Sequence, residues 1–170
     1  MPQIFAFSEP FPYWYVECPL ADFDFTLTTQ CAEAVPNKDW DYWIRYESPV
    51  EKGKRTCRDV FRMPDPFPRL FALLNSQAWI SWLEVTTKIN GLLPDPTLHG
   101  GGLHVVEKGG QLQTHIDYAR HPRLNLERRL NLILFLNQEW DESWGGSLEF
   151  YDDMGEIVEA VLRQDNVRYE

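Results

Sequence analysis

From Gly102 onward the sequence runs as short strand-like segments separated by turn residues, and this pattern constrains the fold more than any other feature. Residues 103–107, 111–117, 129–137 and 147–151 read as strands. The breaks between them are Lys108-Gly109-Gly110, His121-Pro122 and Trp144-Gly145-Gly146. Several short strands in succession predict a sandwich, a barrel or a jelly roll.

The earlier half is mixed. Residues 13–17 and 43–47 read as strands because aromatic and β-branched side chains gather there. Residues 51–55 are charged and predict a solvated loop. Residues 66–75 place Leu70, Phe71, Leu73 and Leu74 at helical spacing. Ser76 can cap a second helix carrying Trp79, Ile80 and Leu83 on one side, with Gly91 as its stop signal. This helix pair is expected to buttress a sheet. No repeat or flexible linker divides the chain, so its 170 residues predict one domain. Within it, residues 1–95 hold N-terminal strands and supporting helices, and residues 96–170 hold the strand-rich part.

Charge narrows the partners. The formal charge is −10, from 26 Asp and Glu against 16 Lys and Arg. Phosphate binding wants a basic surface, so neither nucleic acid nor an anionic membrane is the expected partner. Cys18, Cys31 and Cys57 are too few and too widely spaced for a disulfide framework or a zinc knuckle. Reduced thiols and the absence of a signal-like N-terminus predict a cytoplasmic protein.

The chemistry concentrates in His115-Ile116-Asp117. On a strand, positions i and i+2 face the same side, so an imidazole and a carboxylate would project together. Such a pair can hold two adjacent sites of a metal ion, and one more His completes the facial triad of non-heme iron(II) oxygenases. By itself His-x-Asp is a weak signal. Here it follows Gly100-Gly101-Gly102 and precedes Arg128-Arg129-Leu130-Asn131-Leu132-Ile133-Leu134-Phe135-Leu136-Asn137. Then come Trp140 and Gly145-Gly146-Ser147-Leu148.

Over residues 91–156 this ordered set resembles the prolyl-hydroxylase-like branch of the 2-oxoglutarate- and iron(II)-dependent oxygenases. The resemblance implies an α+β chain, mainly β: a double-stranded β-helix (jelly roll, cupin-like) with N-terminal supporting helices. It makes His115 and Asp117 the catalytic metal ligands. It implies Fe(II) and 2-oxoglutarate as cofactors, with ascorbate a further candidate, and molecular oxygen as co-substrate. The activity implied is hydroxylation of a C–H bond in a peptide (prolyl-type) or small-molecule substrate. Tyr118, Trp140 and Trp144 are candidates to contact that substrate, although packing is the commoner role of aromatic side chains.

The chain also departs from the family. The family places a second His downstream of Asp117 and a basic residue beyond it for the distal carboxylate of 2-oxoglutarate. No His follows His121, and neither Arg163 nor Arg168 follows a His. The jelly roll is therefore expected to be incomplete at its C-terminal end, near the strand that Asn166 would begin. Sheet edges left open would favour a homo-oligomer. If Gly109-Gly110 were a two-residue hairpin turn, His104 would lie opposite His115 as a third ligand, against the family's topology. Val106 stands where family members often carry Tyr. A catalytically inactive jelly-roll binding or scaffold module is the alternative reading. A metal hydrolase built on His104, His115 and Asp117 is a third, and it has no identifiable general base.

Overall fold

The computed structural model describes residues 4–16, 21–34, 42–137 and 140–161. In chain order its elements are β1 (Ile4–Phe7), β2 (Tyr13–Val16), α1 (Ala21–Ala34), β3 (Ile44–Tyr46), β4 (Glu51–Cys57), α2 (Phe67–Leu74), α3 (Gln77–Thr87), β5 (Leu103–Leu112), β6 (Leu148–Tyr151) and β7 (Ile157–Val161). The class is α+β, with small antiparallel sheets ordered β1-β2, β3-β4-β5 and β6-β7. Internal contacts divide the chain into two units, Met1–Val35 with Phe135–Glu170, and Pro36–Leu134. No helix among the described residues is long and apolar enough to cross a membrane.

In the first unit, β1 and β2 pair from Ile4 opposite Val16 to Phe7 opposite Tyr13. Facing aromatics hold this hairpin: Phe7 stacks on Tyr13 with ring centres 4.5 Å apart. Phe150 of β6 meets Phe11 and Tyr13 edge-on at 4.8 and 4.9 Å. In α1 the backbone departs from helical geometry at Asp24, whose carboxylate accepts the Leu27 N–H at 2.9 Å. Leu27 and Cys31, four residues apart, point inward and are buried.

The second unit holds the three-stranded sheet and the helix pair. Ser76 caps α3 by accepting the Trp79 N–H at 3.2 Å. The buried apolar side chains come from the helices (Phe67, Leu70, Trp79, Ile80, Leu83), from the connecting segments (Met63, Leu98), and from Cys57 and Leu103, which are register partners at one end of the sheet. α3 ends earlier than Gly91 predicts. Lys88 supplies the left-handed cap at φ 59°, while Glu84 reaches forward and accepts the Gly91 and Leu92 N–H groups at 2.6 and 3.0 Å.

Three expectations from the sequence fail here. Residues 51–55 are not a loop but most of β4, the central strand of its sheet. Their charges are accommodated by pairing: Lys54 with Glu51 at 2.5 Å, and Arg55 with Glu107 of β5. Gly109-Gly110 is not a hairpin turn. β5 continues through it as a bulge, the register moving five residues from Val106 to Gln111 while β4 moves two, from Lys54 to Lys52. Gly53 lies across from this bulge at φ 65°, and a Cβ there would stand 3.0 Å from the Gly110 Cα. Both sides of the bulge therefore need glycine. Finally, the predicted strand 111–117 contributes only Gln111 and Leu112 to β5, and residues 113–117 and 129–137 are not strands. A strand needs a partner ladder; residues 113–117 have only the Gln113 N–H to Val50 carbonyl bond, and between the two segments lies only the isolated Arg120–Glu127 bridge.

Candidate metal centre

His115 and Asp117 lie just past the end of β5, on irregular backbone rather than on a strand face. They nonetheless converge: His115 Nε2 is 3.6 Å from Asp117 Oδ1, while Ile116 between them is 98% exposed. The protonation pattern follows from the partners. His115 Nδ1 contacts the Gln113 carbonyl at 2.9 Å, and a carbonyl can only accept. In the neutral ring the proton therefore sits on Nδ1 and Nε2 presents a lone pair to the carboxylate oxygen, whereas a ring protonated on both nitrogens pairs with it as a cation. Two lone pairs facing each other repel unless a proton or a metal ion lies between them. Donors about 2.1 Å from a common ion sit roughly 3.0–3.4 Å apart, close to the distance observed.

The second carboxylate oxygen is occupied. Asp117 Oδ2 accepts from Asn131 Nδ2 at 3.1 Å and pairs with the Arg128 guanidinium, whose NH1 lies 3.1 Å away. Arg128 NH2 also donates to Asn131 Oδ1 at 3.2 Å, so the three side chains close a ring. The Arg128 guanidinium lies 4.7 Å from the centre of the Tyr118 ring, and the Tyr118 hydroxyl donates to the His99 carbonyl. Gly100 makes this approach feasible: at φ 73° a Cβ would stand 3.0 Å from the Tyr118 ring. This gives a physical reason for one glycine of the run ahead of His-x-Asp.

Behind Tyr118 lies a second polar cluster. His121, buried, accepts the Arg123 and Leu124 N–H groups on Nδ1 at 3.2 and 3.0 Å. Its proton therefore sits on Nε2 and is donated to Thr97 Oγ1 at 3.3 Å, with Asp95 Oδ2 3.6 Å away. Asp95 accepts from the Thr97 hydroxyl and from the N–H groups of Thr97 and His99. Partial burial pushes its carboxyl up, but these hydrogen bonds and His121 outweigh burial and hold it below its ordinary value. The cluster ties residues 95–99 to residues 121–124.

His104 does not join the site. It pairs across the sheet with Thr56, and its Nε2 donates to the Gly101 carbonyl at 3.3 Å. Desolvation, then the Lys54 charge, hold its ring below the usual imidazole value. The hairpin that would have set it against His115 is the bulge described above. Among the described residues no group of three or more His, Cys, Asp and Glu side chains could hold a metal ion. The donor chemistry thus fits two protein positions, His115 and Asp117. Arg163, Asn166 and Arg168 lie outside the described residues. Trp140 and Trp144 pack edge-on against each other at 5.6 Å in the first unit.

Residues 101–167 match the family model of the 2OG-Fe(II) oxygenase superfamily. The matched stretch contains His115, Asp117, Arg128 and Asn131. No curated protein and no solved structure matches the chain. The sequence singles out His115 and Asp117 as candidate donors but gives Arg128 and Asn131 no role beside them. Their only signal was position: an Arg leading an apolar run, with an Asn three residues on.

Proposed function

We propose that this chain carries a 2-oxoglutarate- and Fe(II)-dependent dioxygenase domain of the double-stranded β-helix type. Its reaction is hydroxylation of a C–H bond in a peptide of prolyl type or in a small molecule. The observation that carries the reading is the coincidence of the superfamily match with His115 and Asp117, whose unengaged donor atoms face each other at 3.6 Å. The bound iron and its co-substrate would supply the oxidising power, as cofactors do in general. The protein's part is to hold donors and substrate. His115 Nε2 and Asp117 Oδ1 would contact the metal, and the Gln113 carbonyl fixes the His115 tautomer that makes Nε2 available.

The inactive binding module remains the second reading, favoured by one observation: the described residues offer no third protein donor. Titration calorimetry with Mn(II) as a redox-silent stand-in for Fe(II), with and without 2-oxoglutarate, separates the two. The dioxygenase reading expects binding that His115→Ala abolishes and that 2-oxoglutarate tightens, together with succinate production when Fe(II) and oxygen are supplied. Metal binding indifferent to His115→Ala, or no succinate with any substrate, speaks for the inactive module.

A further inference from the structure

We infer that Arg128 and Asn131 are positioning residues that aim a single oxygen of Asp117 at the metal, an inference resting on the reading of His115 and Asp117 as metal donors. Asp117 could in principle offer either oxygen, or both. Oδ2 is held by two contacts at 3.1 Å, a hydrogen bond from Asn131 and an ion pair with Arg128. Rotation of the carboxylate would break both contacts at once. Oδ1, by contrast, faces His115 Nε2. The hydrogen bond and the ion pair on Oδ2 thus select one-oxygen ligation and set its direction.

The ring is internally consistent. Arg128 turns its two terminal amines to different partners: NH2 donates to Asn131 Oδ1, and NH1 forms the ion pair with Asp117 Oδ2. That leaves the Asn131 amide one orientation, oxygen toward the guanidinium and nitrogen toward the carboxylate. Arg128 is itself held: its side chain is 21% exposed and its guanidinium carbon lies over the ring of Tyr118, which is anchored to the His99 carbonyl. The rigid fork of Arg, not charge alone, is what this arrangement uses.

Electrostatics and positioning predict opposite signs, so the proposal is testable. A cation beside a metal ligand repels the incoming metal, so a merely charged Arg128 would weaken binding and its removal would tighten it. A residue that aims the ligand does the reverse, and outer-shell partners of this kind typically contribute about 10–100-fold in metal affinity.

The experiment titrates the full chain with Mn(II), following the electron paramagnetic resonance signal of the free ion, for wild type and the variants His115→Ala, Arg128→Gln, Arg128→Lys and Asn131→Ala. Circular dichroism of each variant checks the fold. The expected result is loss of binding in His115→Ala and a weakening of about tenfold or more in Arg128→Gln and Asn131→Ala. Arg128→Lys should give no rescue. Asn131→Ala changes no charge, so it keeps the test open if Arg128→Gln fails to fold. Unchanged or tighter binding in a folded Asn131→Ala or Arg128→Gln would overturn the inference while leaving the metal site standing. Rescue by Lys would overturn the fork. If wild type does not bind Mn(II), or His115→Ala leaves binding unchanged, the dioxygenase reading fails and the inference falls with it.

Discussion

Asp95 receives three hydrogen bonds, two from Thr97 and one from the His99 N–H, and lies beside His121. Its carboxyl is held below the ordinary 3.8 despite partial burial. A carboxyl with a depressed folded value stabilises the fold above its unfolded value and loses that contribution as pH falls through the folded one. Acid should therefore loosen the Asp95 cluster below about pH 4. Asp95→Asn is expected to lower the urea midpoint at neutral pH and to flatten the decline in that midpoint between about pH 4 and pH 2. At the same scale, the candidate site was only partly legible. His115 and Asp117 stood out because their chemistry survives any local backbone, strand or loop. Arg128 and Asn131 did not, because their role depends on the chain returning to Asp117 across 14 residues.

Elements were readable where their stabilisation is local. Ser76 announces α3 because a hydroxyl at that position can take an otherwise unpaired N–H, and the structure places it on Trp79. Ser76→Ala should cost about 1 kcal/mol, read as a lower urea midpoint with an unchanged slope. The apolar spacing of residues 66–75 likewise yielded α2, whose Phe67 and Leu70 are buried. The failures share a physical cause, since strands are made by partners. Residues 51–55 look like a solvated loop in isolation and become β4 only because β3 and β5 flank them. Residues 129–137 look like a strand in isolation, yet pair with no strand among the described residues. The bulge at Gly109-Gly110 mimics a hairpin in sequence, since glycine serves both. What separates the two is the answering Gly53, 56 residues earlier, a distance over which no local pattern is visible.

At the scale of the whole molecule, the net charge of −10 sets the response to solution conditions. Like charges repel more in the compact state than in the unfolded chain, and the Debye length shortens from about 10 Å at 0.1 M salt to about 3 Å at 1 M. Raising sodium chloride from low ionic strength to a few tenths molar should therefore raise the melting temperature, measured by circular dichroism at pH 7. A fall would mean that pairs such as Arg55–Glu107 outweigh the general repulsion. The core offers a different handle. Cys57 sits at the sheet end beside Leu103, 2% exposed, and burial raises its thiol above the ordinary 9.0. A thiol that is both walled off and protonated is inert to alkylating reagents in the closed molecule. It becomes reactive only when that end of the sheet breathes, so Cys57 is a built-in clock for the opening of the second unit.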